Sequence, residues 1–481
     1  MAVKDVLKAN TNAELLSYII NATPELAADI DLPVQGESIK PIGKIIVNNE
    51  RYKNAFINTI NLIGLSVIDR NGWQDPWETF TNRGMLNYGD SVRELMVDIA
   101  DVFDYNQYAN DPDHFLENVV PNVYNYIHEV NYQKFYKTTT SDEQIAMAFD
   151  DENGLFDLIE RIIGSLYEAY QYDKYLVEKY MLCRRILDGT VTSVEIDNYG
   201  SLTARQRVAF MKNISNKMTF RSPNYNPAGV RVATAFEDQI MILNTDFDAD
   251  MSTEVLATSF FRNDAEMKTR LALIDGFNNH DTARLTQLLG SQYVPFTDDE
   301  ITALGNIPAV IVDREWFQVY SYAMDNMAET RRTDFFNPES LRNTHWLHAW
   351  KVVSSSPFKQ AVVFTKDVAP AVSSVTVSPS AASTEAGQSV QLSATVATAG
   401  FANKAVVWAI DSDAETGEGK KASVDMNGLV TIPATHASAG SEIVVSATSV
   451  FDSTKKDTCT ITVGTAANAG QTSNSDNRST K

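Results

Sequence analysis

The chain has 481 residues, 44% hydrophobic and 10% aromatic, with a formal net charge of −22. Such a composition supplies a packed core and excludes global disorder, and the acidity excludes nucleic-acid binding through a basic surface as the main activity. Only two cysteines are present, Cys183 and Cys459, which excludes a disulfide framework and suits a reducing compartment.

The start, MAVKDVLKANTNAELL, lacks the apolar stretch of a signal peptide, and no apolar run of about 18 residues offers a membrane span. A short helical piece is expected near Ala13–Ile20, capped by Thr11 or Asn12. The stretch holding Pro24, Pro33 and Pro41 reads as irregular, so residues 1–50 form an extended arm rather than a core. Residues Tyr52–Ile68 are amphipathic and predict a helix leading into a strand.

Residues 71–137 differ in character, beginning with the turn-rich NGWQDPW. Val92, Leu95, Met96, Ile99, Val102 and Phe103 fit a helical template, although Arg93, Leu95, Val97 and Ile99 also share one face of a strand. Periodicity alone favours the helix. Tyr124, Tyr126, His128, Val130 and Tyr132 alternate with polar residues and predict one half-buried strand, part of a projecting two-stranded arm. The aromatics Trp73, Trp77, Phe80, Tyr88, Phe103 and Tyr105 are more apolar surface than a lone arm can bury, and are expected to meet another subunit.

One long helix is predicted from Asn153 to Leu187, with apolar residues at a period near ~3.6, Asn153 as N-cap and Gly189 as the stop. At ~1.5 Å per residue it would run roughly 50 Å, a scaffold rather than a catalytic element. Leu202–Met218 is helical, and its Arg205, Arg207, Lys212 and Lys217 read as a solvated face. Short strands follow at Ile240–Leu243, Leu271–Ile274, Ala309–Val312, Trp346–Val353 and Ala361–Phe364, with a helix at Ser252–Phe261, which predicts a mixed α+β domain.

Composition changes at Lys366–Ala371: aromatics give way to Ser, Thr, Val and Ala in alternating runs separated by turns such as Asn427-Gly428. Residues 370–463 read as an immunoglobulin-like β-sandwich with Trp408 in its core and Cys459 as a buried thiol. Residues 464–481 are polar and expected to be disordered.

No catalytic constellation stands out. Asp246, Asp248 and Asp250 mimic a calcium loop but lack its Gly and Glu, where Met251 and Ala257 stand. They read as a turn capping a helix from Ser252. His345 and His348 would point to opposite faces of a strand and cannot share a metal. Cys183 beside Arg184 and Arg185 reads as structural, and the pairs Asp150/Asp151 and Asp298/Asp299 as solvated loop carboxylates. The residues describe a structural or binding protein, with no catalytic residue, cofactor or metal site.

The order of arm, projecting hairpin, long helix, mixed domain and terminal strands resembles the HK97-type major capsid protein of tailed phages. INLIGLSVI, VVPNVYNYIHEVNYQKFYKTT, IPAVIVDREWFQVYSYAMDNM and HWLHAWKVVSSSPFKQAVVF resemble the phi29 type of small short-tailed phages. SVTVSPSAASTEAGQSVQLSATV, VVWAI and NGLVTI resemble the bacterial Ig-like group 2 (BIG2) domain. This resemblance implies an HK97-like capsid domain over residues 51–365. Within it, 71–137 would be the extended loop, 138–190 the spine-helix peripheral region, 191–345 the axial domain and 346–365 returning strands. It also implies that Val92–Val102 is strand, against the periodicity, and we follow the resemblance because that strand partners Tyr124–Tyr132.

The implied function is self-assembly into pentamers and hexamers of an icosahedral or prolate head around double-stranded DNA. The protein would be made in the host cytoplasm and end in the virion, with a portal and a separate scaffolding protein, and no membrane. The Ig-like domain would be displayed outside, with host polysaccharide as a partner by analogy. The alternative, an adhesin binding host glycans, predicts an export signal or a fibre repeat that the sequence lacks. A glycan-active enzyme lacks an acid/base pair.

Overall fold

The computed structural model describes residues 40–49, 73–87, 91–97, 123–149, 164–254, 270–322, 342–413, 421–436 and 440–464, with isolated positions at 16–21, 51–56, 99–102, 325–332 and 415. The expected start of the long helix at Asn153 and all of the expected helix-then-strand Tyr52–Ile68 except Tyr52 and Phe56, which are helical, lie outside the described residues, as do residues 465–481.

Strands of the larger part are β1 (Asn82–Leu86), β2 (Val92–Val97), β3 (Val123–His128), β4 (Tyr132–Ser141), β5 (Thr192–Ile196), β6 (Gln239–Asn244), β7 (Leu271–Ile274), β8 (Ala309–Asp313), β9 (Phe317–Tyr322), β10 (Met327–Arg332), β11 (Arg342–Ser355) and β12 (Ala361–Lys366). They form two five-stranded sheets and a ribbon. The central sheet has the order β5-β12-β8-β6-β7, with parallel pairs at both edges and antiparallel pairs between. Its inner strands are buried almost throughout because they are covered on both faces. Ile240, Ile242, Val310, Val312 and Val363 join the core against the spine helix Gly164–Leu187. Their neighbours Met241, Leu243, Ile311, Val362 and Phe364 join a second core against the helix Ala204–Met218. Thus period-2 alternation divides one sheet between two helices.

The second sheet is built on β11, which pairs with β4 along one edge and with β10 and then β9 along the other. The expected single strand Tyr124–Tyr132 is two strands, broken at Glu129–Asn131. Asn131 explains the break: its Nδ2 donates to the Val353 carbonyl (2.7 Å) and its Oδ1 accepts from the Val353 N–H (2.9 Å). The side chain imitates a backbone rung and starts the β4–β11 ladder.

The spine helix ends as its sequence dictates. Gly189 has φ +72° and donates to Ile186, while Thr190 donates to Arg185. That pattern is a Schellman close. Arg184 does more than face the helix dipole: it bonds Glu300 and the carbonyls of Val294 and Pro295, and stacks 4.2 Å from the Phe296 ring.

Four local expectations are corrected. Lys40–Asn48 is helix where an irregular stretch was expected, because Pro41 sits in the first turn, where no N–H is needed. The 1–50 segment also feeds the core, since Leu16, Ile20 and Ile46 are fully buried with the spine helix. A helix begins at Thr245, not Ser252: Asn244 Oδ1 accepts the Asp246 N–H, and Asp246 and Asp248 suit the positive end of the helix. Asp298 and Asp299 likewise open a helix, behind a capping box of Thr297 and Glu300, though they remain solvated.

The C-terminal strands are β13 (Ala371–Ser378), β14 (Ala381–Glu385), β15 (Ser389–Gln391), β16 (Ser393–Ala399), β17 (Val406–Ser412), β18 (Ser423–Val424), β19 (Leu429–Thr431), β20 (Glu442–Ser449) and β21 (Lys456–Gly464). They make sheets β14-β21-β20-β17, β15-β19-β18 and β13-β16 around a core holding Ile443, Val445, Ile461 and the thiol of Cys459. Trp408 is half-buried at the edge of this core rather than inside it.

Candidate assembly surface

Of the six aromatics expected at a subunit interface, the structure removes two. Trp77 is fully buried and Phe80 nearly so, both in the core of their own chain. Asp75 Oδ1 accepts the Trp77 N–H (2.8 Å), a tight turn that swings the indole inward. There its Nε1 donates to the Leu273 carbonyl (3.1 Å), and its ring meets Tyr175 edge-on at 5.2 Å and Phe317 at 5.8 Å. Trp73 stays 45% exposed, edge-on to Tyr172 and Tyr175 of the spine helix. Tyr88, Phe103 and Tyr105 lie outside the described residues.

A different surface emerges on the ribbon. β2 and β3 pair antiparallel from Val92↔His128 to Val97↔Val123, so 92–97 is strand and the helical template misled. The expected arm does not project freely. Met96 and Tyr124 face the body, with the Tyr124 ring 6.3 Å from that of Phe358, and His128 Nε2 is buried 3.3 Å from Glu94 on the same face. The other face carries Leu95, Val97, Val123 and Ile127, exposed by 68, 51, 57 and 43%. Four apolar side chains uncovered on one face of a two-stranded ribbon are an unmet packing demand.

A cleft of about 820 Å³ is lined by Trp73, Tyr172, Tyr175, Leu273, Asp275 and Arg284. Two of its charges are paired: Arg284 holds Asp173 through two 2.7 Å bonds, and Lys179 holds Asp275. Burial works against the Asp275 anion, but Lys179 outweighs it and keeps the carboxyl low. Cys183 is a structural thiol: burial pushes its pKa up to about 12, and Sγ rests 3.6 Å from the Phe277 carbonyl. Arg207 is no free basic patch either, stacking 4.1 Å from Tyr199 and pairing with Asp250. Among the described residues no group of three His, Cys, Asp or Glu could hold a metal, and no helix is long and apolar enough to cross a membrane.

His345 and His348 do lie on opposite faces of β11. His345 is buried, with Nε2 2.9 Å from Thr140 Oγ1, and desolvation lowers its pKa to about 4. In the unfolded chain it protonates near ~6.5, so the unfolded state binds the extra proton between those values and stability falls as pH drops. Between about pH 7 and pH 5 the loss from this one group is about 2 kcal/mol. A His345→Gln chain is expected to lose that much less, read from urea midpoints at the two pH values.

The sandwich touches the larger part at the end of the spine helix. Phe401, in the loop after β16, is buried in the spine-helix core with φ +60°. A Cβ on Gly189 would stand 2.3 Å from the Ala402 carbonyl oxygen, so the helix terminus and this loop are in direct contact.

Comparison with known proteins agrees with this architecture. Residues 19–365 match the family of Phi29-like phage major capsid proteins, and residues 371–461 match the bacterial Ig-like domain, group 2. The major capsid protein of Bacillus phage PZA is 28% identical over 429 residues, covering 87% of this chain and 88% of its own. That of Bacillus phage B103 is 27% identical over 439 residues, covering 90% and 89%. In the capsid structure of Staphylococcus phage Andhra, a chain of 12% identity aligns with TM-score 0.45 over 58% of this chain and 81% of its own.

The chain therefore belongs to the Phi29-like phage major capsid protein family, a structural family and not an enzyme family, with a C-terminal Ig-like domain of mostly strands. It is a phage capsid protein and part of the virion, and the adhesin alternative is not favoured.

Proposed function

We propose that this chain closes the phage head by assembling through pentamers and hexamers, with the outer face of the β2–β3 ribbon lying on a neighbouring copy. The single observation that carries the reading is that face: Leu95, Val97, Val123 and Ile127 point to solvent in one chain. In a lattice of identical subunits, many such modest apolar contacts sum to a stable shell. Residues 71–137 would serve as the extended loop, 138–190 as the peripheral region and 191–345 as the axial domain of an HK97-type subunit.

The finer partners follow from chemistry. With a net charge of −22, mostly before Lys366, the inner wall would lie beside packaged DNA without gripping it. A separate scaffolding protein and a portal would complete the assembly. The sandwich would stand on the outer wall, where host polysaccharide is the partner it meets, held in place by Phe401. Simple loss of residues 370–481 would then open the Phe401 socket in the larger core.

The test uses the buried native thiols. Cys183 and Cys459 are inaccessible, so a photo-crosslinker attached at Leu95→Cys reports one position. Assembled particles are expected to give ladders of covalently joined chains, and dissociated subunits none. Crosslinks confined within single chains in assembled particles would reject the ribbon contact.

A further inference from the structure

Three lysine–aspartate pairs surround the spine helix, and they are not alike. Lys351 and Asp325, 3.0 Å apart, form a completed ion pair: Asp325 also accepts from the Tyr170 hydroxyl and the Trp350 N–H, and Lys351 also reaches Ser321. Asp275, paired with Lys179, is half exposed and also accepts from Tyr175 and Asn279. Lys174 and Asp75 are different. Their side chains are 2% and 0% exposed, and Nζ lies 3.1 Å from Oδ2 with neither atom in ordinary hydrogen-bond geometry.

A third group completes the setting. Glu178 lies one helical turn beyond Lys174 on the same face, and neither of its carboxyl oxygens has a hydrogen-bond partner. Burial first, and then Asp75, raise its pKa to about 8, so it carries a proton at neutral pH. Burial likewise raises Asp75 against the pull of Lys174. Glu78 is the remaining charge near the amine, 3.7 Å away, and it turns to solvent. The cluster is shut off from water, since Asp75, Lys174 and Glu178 are all buried.

We propose that Lys174 and Asp75 join in an intramolecular isopeptide bond, with Glu178 moving the protons. Burial works against the Lys174 ammonium, but Glu178, Asp75 and Glu78 outweigh it and hold its proton on, so the reactive state is a transient one: the ammonium lends its proton to the Asp75 carboxylate, itself made more basic by burial, and a neutral amine faces a neutral acid. The nitrogen lone pair attacks Asp75 Cγ, whose Oδ2 lies 3.1 Å from Nζ. Glu178 then gives its proton to the departing hydroxyl and takes one from nitrogen. One C–N bond forms, one C–O bond breaks, one water leaves, and nothing is oxidised or reduced. The product ties the turn at Asp75 to the spine helix. Such a closure removes entropy from the unfolded chain as a disulfide does, without needing an oxidising compartment. The inference is independent of the shell-building reading.

The test is the intact mass of the purified, denatured full chain. It is expected one water below the mass of the sequence. Tandem mass spectrometry of a protease digest is expected to show the peptides holding Asp75 and Lys174 joined. Water loss as a succinimide is excluded at Asp75, because Pro76 has no N–H. Lys174→Arg and Glu178→Gln chains are expected at full sequence mass. A wild-type chain at full mass, or a water loss mapped elsewhere, overturns the bond. A Glu178→Gln chain that still loses the water overturns the role given to Glu178.

Discussion

Replacing Trp77 by alanine is expected to destabilise the chain by about 3–5 kcal/mol, the range for removing a large aromatic from a packed core. The indole is fully buried, bonded to Leu273 and packed between Tyr175 and Phe317, so its loss leaves a cavity and an orphaned carbonyl. Chemical denaturation of unassembled subunits reads the effect. Trp73→Ala, at an exposed ring, is expected to shift the same midpoint by much less. Equal and small effects at both positions would restore the expectation that these aromatics serve a neighbouring subunit.

The second large effect concerns assembly rather than folding. Leu95→Glu with Val123→Glu puts two charges on the outer face of the ribbon, where both side chains now face water. The folded monomer has little reason to object, since surface changes usually fall within about ±0.5 kcal/mol. A contact with another copy would bury both carboxylates unpaired, which costs far more than a monomer change and repeats at every subunit. Sedimentation is expected to show folded subunits and no particles. Normal particles from this variant would mean that the ribbon face is not a contact.

These two cases show where the sequence was legible. Short apolar runs such as Ile240–Leu243 and Ala361–Phe364 announced strands, and their lack of alternation meant a sheet covered on both sides. The stretch Leu202–Met218 reads as helix and is one over Ala204–Met218, behind a capping box of Thr203 and Gln206 that the sequence reading passed over. The ribbon was ambiguous because Val92, Leu95 and Met96 satisfy a helical spacing as well as a strand, and only the cross-strand partner decides. The aromatics near NGWQDPW were misjudged for a related reason. A turn-rich segment carries no periodicity to say which way a ring points, and one hydrogen bond from the Trp77 N–H to Asp75 turns the indole inward.

The buried charges were the least legible feature. Asp173, Lys174, Glu178 and Lys179 look like the solvated face of an amphipathic helix, yet all four are buried. The helix packs against β4, β11, the central sheet and the loops around Asp75 and Asp275, and three of the four charges are answered by residues distant in sequence, Asp173 by Arg284, Lys174 by Asp75 and Lys179 by Asp275. No local pattern encodes that enclosure. The docking of Phe401 is hidden in the same way, because a phenylalanine in a loop of the sandwich gives no sign that its socket belongs to the other part of the chain.

The central claim is that copies of this chain cover one another's apolar ribbon and so close a shell. Negative-stain electron microscopy of the purified full-length protein under assembly conditions tests it most directly. Closed particles of uniform wall are the predicted result; a field of dispersed monomers or open rods, with the chain demonstrably folded, would contradict it.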